Sequence, residues 1–176
     1  ALWMYQWLVA RAVWRLRQKG LPISVDFVGP ANPMALEILM QTKRELDPQG
    51  EFIFYKGQVR FEALHTAYHE ADAFVFASSC ENLPNILLEA MASGLPIASS
   101  NQGPMPDVLG EGGVYFDPEN EESIVHSLER LIESTCLRVK ISHKAFLSAK
   151  ASSWHGCTDE TLSFIVDNTQ VHRLTE

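Results

Sequence analysis

Glu81 and Glu89 are the residues whose type and spacing most invite chemistry. They lie eight positions apart in the run from Ala77 to Pro96, ASSCENLPNILLEAMASGLP. Pro84 suits the first turn of a helix, because a proline there gives up an N–H that has no helical partner anyway. The amides of Asn85, Ile86 and Leu87 would then point out of the helix end. Such an end carries partial positive charge and can hold a phosphate. Glu81 precedes Pro84 and falls in the loop, whereas Glu89 falls inside the helix, roughly 7.5 Å along its axis at 1.5 Å per residue. A carboxylate accepts paired hydrogen bonds from vicinal hydroxyls, so each Glu suits a sugar diol. One could hold a transferred sugar and the other a ribose, with a diphosphate between them. For an arbitrary pair, a solvated loop Glu and a surface helix Glu are the commoner outcome, and spacing alone does not decide.

The elements that must position these residues alternate along the chain. Ile23, Val25 and Phe27 alternate with polar residues and run into Gly29-Pro30, which predicts a strand. Helical spacing over 33–46 ends at Asp47-Pro48. Strands are predicted at 52–55, 73–77, 96–99 and 114–116, with helices near 61–70 and 84–93 and Gly94 as a helix stop. A Gly- and Pro-rich turn occupies 103–106. From about Glu119 the pattern is helical only, with Asp117 or Asn120 as its cap. Near-continuous apolar strands alternating with helices predict an α/β fold of Rossmann type. That is one domain over 1–176, with a parallel sheet covered by helices on both faces and a helical C-terminal tail. The chain opens with a helix where a doubly wound domain usually opens with a strand.

Composition excludes several classes. The 176 residues carry a net charge of −8 and are 46% hydrophobic, so the chain is neither disordered nor a non-specific nucleic-acid binder. Cys80, Cys136 and Cys157 are scattered and form no CxxC pair, as expected of reduced thiols in a cytoplasmic protein. Residues 1–20 hold three tryptophans, four basic residues and no acid. They read as a domain helix packed on a sheet, with peripheral contact to an anionic membrane as the second reading. His65 and His69 share a helix face but lack a third ligand, so no metal is expected. His155 and Cys157 fall in the helical tail, where structural roles are expected.

The segment from about Leu64 to Pro118 closely resembles the C-terminal domain of family-four retaining glycosyltransferases of the GT-B fold. Members carry a Glu, seven residues and a second Glu inside a pattern like "S…E…P…LLEAMA.G.P", which Ser78 to Pro96 matches. Phe54 to Val59 resembles the family's "f.G.v" strand, and Leu64 to Phe76 its "l…Y..AD.fvf" run. Gly103-Pro104 and Gly112 to Pro118 resemble the later turn and strand. Weaker likeness extends from Val25 to about Phe164, with Trp154 in the place of the family's "fsW".

The resemblance implies one half of a GT-B enzyme that binds a nucleoside-diphosphate sugar. Glu81 would contact hydroxyls of the transferred sugar, helped by backbone amides of Leu83 and Asn85. Ile86 and Leu87 would bind the diphosphate, Glu89 the ribose, and main chain near Gln58 and Val59 the base. No metal or other cofactor is implied. Charge builds on the leaving diphosphate, where preorganised donors stabilise it. The family also places an Arg and a Lys on the first strand and loop of this domain. Arg11, Arg15, Arg17 and Lys19 lie in the opening helix and do not match that pair, and Asp107 stands where many members have Glu. The expected partners are the sugar nucleotide, an N-terminal GT-B domain absent from these residues, and a glycan or lipid acceptor. A domain of the same fold that binds or assembles without catalysing is the alternative. A GT-B sugar-nucleotide epimerase fits the architecture but matches the Glu spacing less well.

Overall fold

A computed structural model describes residues 4–152 and 154–173, with side chains for 4–152 and 155–166. Trp3 and the side chain of Trp154 lie outside the described residues. The element order is α1 (Gln6–Gln18), β1 (Val25–Val28), α2 (Pro33–Leu46), β2 (Ile53–Gly57), a 3-10 turn (Phe61–Ala63) with α3 (Leu64–His69), β3 (Phe74–Phe76) and α4 (Asn85–Ala92). It continues with β4 (Ile97–Ser100), α5 (Met105–Leu109), β5 (Gly113–Phe116), α6 (Glu121–Glu133), α7 (Thr135–Ala151) and α8 (Trp154–Arg173).

All strand pairs are parallel, as the alternation predicts, but they form two ladders in place of one. β1 pairs with β2, and β3, β4 and β5 pair in that order. Among the described residues no strand bridges the ladders. An apolar cluster does, joining Phe52 and Ile53 to Ala77, Ala98 and Phe116 beneath α1 and α6. Strand periodicity explains the layering. Ala77, Ala98, Val114 and Phe116 face this first cluster, while their chain neighbours Phe76, Ile97 and Tyr115 face a second, built with Leu87, Met91, Met105 and Leu109. Residues i and i+1 of a strand point to opposite faces, so helices cover both, and all four residues of β4 are buried.

α1 confirms the packed reading of the N-terminal helix. Val9, Ala10, Ala12, Val13 and Leu16 are buried in the first cluster. Its cations serve the fold as well: Arg15 pairs with Glu122 at 2.6 Å, Lys19 pairs with Glu129 at 2.6 Å, and Arg17 lies over the Phe52 ring. The α2–β2 corner turns on Asp47. This buried carboxylate accepts from the backbone N–H of Glu51 at 2.8 Å, Phe52 at 3.0 Å and Ile53 at 2.8 Å.

Three local differences from the pattern have physical causes. The 103–106 turn also starts α5, because Pro104 and Pro106 tolerate a helix start that needs no N–H. The 61–70 helix is broken into a 3-10 turn and a short α-helix, neither with a buried residue to register it. Of the two candidate caps for the first C-terminal helix, Asn120 accepts from the Ser123 N–H at 3.2 Å, while Asp117 accepts from Glu119 N–H at 3.0 Å just before it.

Two glycines are required where they stand. Gly94 ends α4 at φ +73°, the left-handed position after a helix that side chains resist. Gly113 begins β5 against its neighbours: a Cβ there would come within 2.4 Å of Leu109 Cδ2 and 2.9 Å of the Ile97 carbonyl oxygen. Gly113→Ala should therefore lower unfolding free energy by about 1–3 kcal/mol through overpacking. Urea unfolding would show it as a lower midpoint with an unchanged slope.

Candidate functional site

Open parallel sheets bind ligands beyond the C-terminal ends of their strands, where the strand order breaks. Here the ends of β1 and β3 line one crevice of about 310 Å³, with Met4, Gln6, Pro30, Asn32, Cys80 and Glu81 in its wall. β1 and β3 are therefore the strands that flank the break between the ladders. A larger cavity of about 520 Å³ lies at the opposite end of β5, around Glu111, Arg130, Lys140 and Lys144. Neither carboxylate picked out by the sequence lines it.

The 78–81 loop carries Glu81 to this crevice. Ser78 is fully buried at the end of β3, and its hydroxyl donates to Glu81 Oε1 at 2.7 Å. The carboxylate, half-buried, thus reaches the crevice in one held orientation. A second network crosses the same edge. Ser79 donates to the Tyr5 hydroxyl at 3.5 Å, and Tyr5 donates to Glu119 Oε1 at 2.6 Å, which ties the end of β3 to the segment after β5. Met4 bridges Ser78 in antiparallel fashion, and the Tyr5 N–H donates to the Ala77 carbonyl at 2.9 Å.

The start of α4 is tighter than the sequence predicts. Pro84 is the cap residue and not the first helical one. Its carbonyl accepts from the amides of both Leu87, at 2.9 Å, and Leu88, at 3.1 Å, while the Asn85 amide donates to the Leu83 carbonyl at 2.9 Å. Of the three amides expected to be open, only that of Ile86 lacks an acceptor among the described residues. The side chains divide in the same way. Leu87 is buried in the second cluster, so it can offer a ligand backbone only, whereas Leu83, Asn85 and Ile86 are exposed at the helix end.

Glu89 lies one turn further along α4 and does not line the crevice. Its Oε2 accepts the Tyr68 hydroxyl at 2.9 Å. Burial, and then this bond, raise the Tyr68 phenol far above its usual range, so it stays a donor at any physiological pH. Gln58 and Val59 follow Gly57 at the end of β2, Gln58 exposed and Val59 half-buried, and neither belongs to the crevice wall. The structure therefore brings Glu81 to the break in the sheet and sets Glu89 on the adjoining helix. No Lys or Arg lines the crevice among the described residues. His65 and His69 are exposed on α3, and no group of three or more His, Cys, Asp or Glu converges to hold a metal among the described residues.

Sequence reasoning missed Tyr5, Tyr68 and Glu119 as residues of this edge, and placed Ser78 on it without a role for its hydroxyl. Tyr68 and Ser78 sit inside the matched motifs, yet nothing in their spacing says that each is a hydroxyl aimed at one of the two carboxylates. Tyr5 and Glu119 are 114 residues apart, a pairing only the fold reveals.

A parallel α/β domain with its crevice at a break in the strand order, fed by a Glu-bearing strand–loop–helix, has the architecture of the C-terminal domain of a GT-B glycosyltransferase. The fold agrees with solved structures of that kind. The C-terminal domain of the glycosyl transferase group 1 family protein LpcC from Francisella tularensis superposes with a TM-score of 0.76 at 22% identity, over 86% of this chain and 80% of that one. Anabaena HepE, solved with UDP and glucose, superposes with a TM-score of 0.78 at 17% identity, over 95% of this chain and 45% of that one. The family described as "Glycosyl transferases group 1" matches residues 4–134, and this chain belongs to it. Among curated relatives, the O-antigen chain mannosyltransferase B of Escherichia coli is 31% identical over 112 residues, which is 64% of this chain and 29% of the relative. The sulfoquinovosyl transferase SQD2 of Arabidopsis thaliana is 31% identical over 109 residues, 59% of this chain and 21% of the relative. The chain thus spans less than a third of the length of either.

Proposed function

We propose that this chain is the donor-binding domain of a retaining hexosyltransferase, which takes a nucleoside-diphosphate sugar and delivers the hexosyl unit to a glycan or lipid acceptor. The observation that carries this reading is the pair of hydroxyl-held carboxylates: Glu81 on Ser78 at the crevice, and Glu89 on Tyr68 beside it. Carboxylates whose orientation is fixed in advance suit two diols, because less freedom is lost when a polyhydroxyl ligand arrives. Glu81 accepts from hydroxyls of the transferred sugar and Glu89 from the ribose, while the Ile86 amide and the α4 dipole face the diphosphate. Gln58 and Val59 meet the base through main chain, and the amides near Leu83, Asn85 and Leu87 complete the cradle after local adjustment of the α4 start.

In this reading neither Glu is a nucleophile. The barrier falls because donors already in place stabilise charge as it builds on the departing diphosphate. No metal takes part. The acceptor meets the crevice from an N-terminal GT-B domain of the whole protein, and the chain works in the cytoplasm, where the exposed thiols of Cys80, Cys136 and Cys157 stay reduced. No described helix is long and apolar enough to cross a membrane. Contact with an anionic membrane surface would have to use Arg11 and the outer face of α1, since its apolar face is buried. Co-sedimentation with anionic vesicles tests that contact.

A second reading, a module of the same fold that binds without catalysing, is favoured by the lack of any Lys or Arg in the crevice wall. Comparing each nucleoside diphosphate with its sugar conjugate separates the two. The donor reading predicts that the conjugated hexose adds affinity and that Glu81→Ala removes the gain, about a tenfold effect for hydrogen bonds to a charged acceptor. A conjugate that binds no better than its bare nucleotide, with or without Glu81, would contradict it.

A further inference from the structure

Glu89 is held by a residue from another element, and the way that residue is anchored says what it is for. Tyr68 stands near the end of α3, a helix of 6 residues with none buried. α3 alone could not fix a side chain. The Tyr68 ring is instead fixed from the sheet side: it lies 6.1 Å from the Phe74 ring, which stacks in turn on Phe76, itself 2% exposed in the second core cluster. β3 therefore positions the Tyr68 hydroxyl, just as it positions Ser78 beneath Glu81. One strand orients both carboxylates from either end.

The chemistry of the bond is one-directional. The phenol is kept protonated, so it donates and Glu89 accepts. A carboxylate has about four acceptor sites, and one bond to Oε2 leaves Oε1 open for further donors. A Glu side chain otherwise has to freeze several torsions when it binds a diol, and a bond made beforehand removes that loss from the binding step.

We infer that Tyr68 is a positioning residue for ribose recognition: its hydroxyl holds the Glu89 carboxylate in the orientation that accepts the 2′ and 3′ hydroxyls, and so sets the preference for ribo- over deoxyribonucleoside diphosphates. The inference rests on the donor-site reading. Tyr68 itself touches no ligand.

The test is calorimetric titration of the chain with GDP, UDP and ADP and with their 2′,3′-dideoxy counterparts, in the parent, Tyr68→Phe, Glu89→Ala and the double variant. Phe keeps the ring packing on Phe74 and removes only the donor. The parent is expected to favour the ribonucleotide by about 10–100-fold, as hydrogen bonds to a charged group allow. Tyr68→Phe should cut that preference about three- to tenfold and leave the dideoxy affinity within about twofold. The double variant should show no preference beyond that of Glu89→Ala, because the two residues act as a unit. The inference is overturned if Glu89→Ala collapses the preference while Tyr68→Phe preserves it. It is also overturned if Tyr68→Phe weakens both ligand classes equally, the mark of a merely structural role, or tightens ribonucleotide binding. A parent chain that binds no nucleotide, or whose preference survives Glu89→Ala, overturns the donor-site reading beneath it.

Discussion

Asp47→Ala should destabilise the chain by about 3–5 kcal/mol, as much as truncating a large side chain of the apolar core. The carboxylate is 3% exposed and accepts from three consecutive backbone amides, those of Glu51, Phe52 and Ile53. Removing it leaves three donors at the entry to β2 with no acceptor, and a buried donor left unmade costs more than a made bond contributes. Asp47→Asn keeps a carbonyl acceptor and should lose about half as much. The effect has a pH signature. Burial acts to raise the Asp47 carboxyl, but the bonds from Phe52, Ile53 and Glu51 outweigh it, and the folded value lies below the ordinary 3.8. A depressed folded value means that the unfolded chain binds more protons, so stability rises with pH through that range. The Asp47 contribution is therefore complete above the ordinary carboxylate range and disappears as pH falls through the folded value. Urea unfolding of parent and Asp47→Asn, compared at pH 7 and near pH 3, should show the gap between them narrowing in acid. A gap that widened in acid would contradict the assignment.

Glu89→Ala should lower affinity for the cognate nucleoside diphosphate by about 10–100-fold, the value of hydrogen bonds to an ionised acceptor. Its effect on folding should be small by comparison. The side chain is half-buried on α4, and its loss orphans one tyrosine hydroxyl, about 1 kcal/mol. A large binding loss with a small stability loss is what distinguishes a ligand-facing carboxylate from one that serves the fold, and Asp47 and Glu89 are predicted to be opposites in this respect. Thermal unfolding and titration on the same two variants would expose an exchange of these roles.

The parallel α/β class, the helices on both faces and the helix–strand order were legible because each rests on local periodicity. Alternation in Ile97-Ala98 or Val114-Tyr115-Phe116 is the same fact as their division between two clusters. The division into two ladders was not legible, since pairing between β1 and β3 depends on what lies between them in space. The Glu81–Glu89 motif marks the candidate site, but not its internal wiring. Ser78 is three residues from its carboxylate and could have been suspected; Tyr68 is 21 residues from Glu89 and could not. The amides at the start of α4 were misjudged because a Pro84 carbonyl that accepts from two amides tightens the first turn, a detail set by backbone angles and invisible in residue type.

The central claim is that the edge formed by the 78–81 loop and α4 takes a nucleoside-diphosphate ligand through Glu89. Calorimetric titration of this chain with GDP, UDP and ADP tests it most directly, with Glu89→Ala alongside. Saturable one-to-one binding of one of the three is expected, with its loss or severe weakening in the variant. Absence of binding by all three nucleotides, or equal binding by parent and variant, would contradict it.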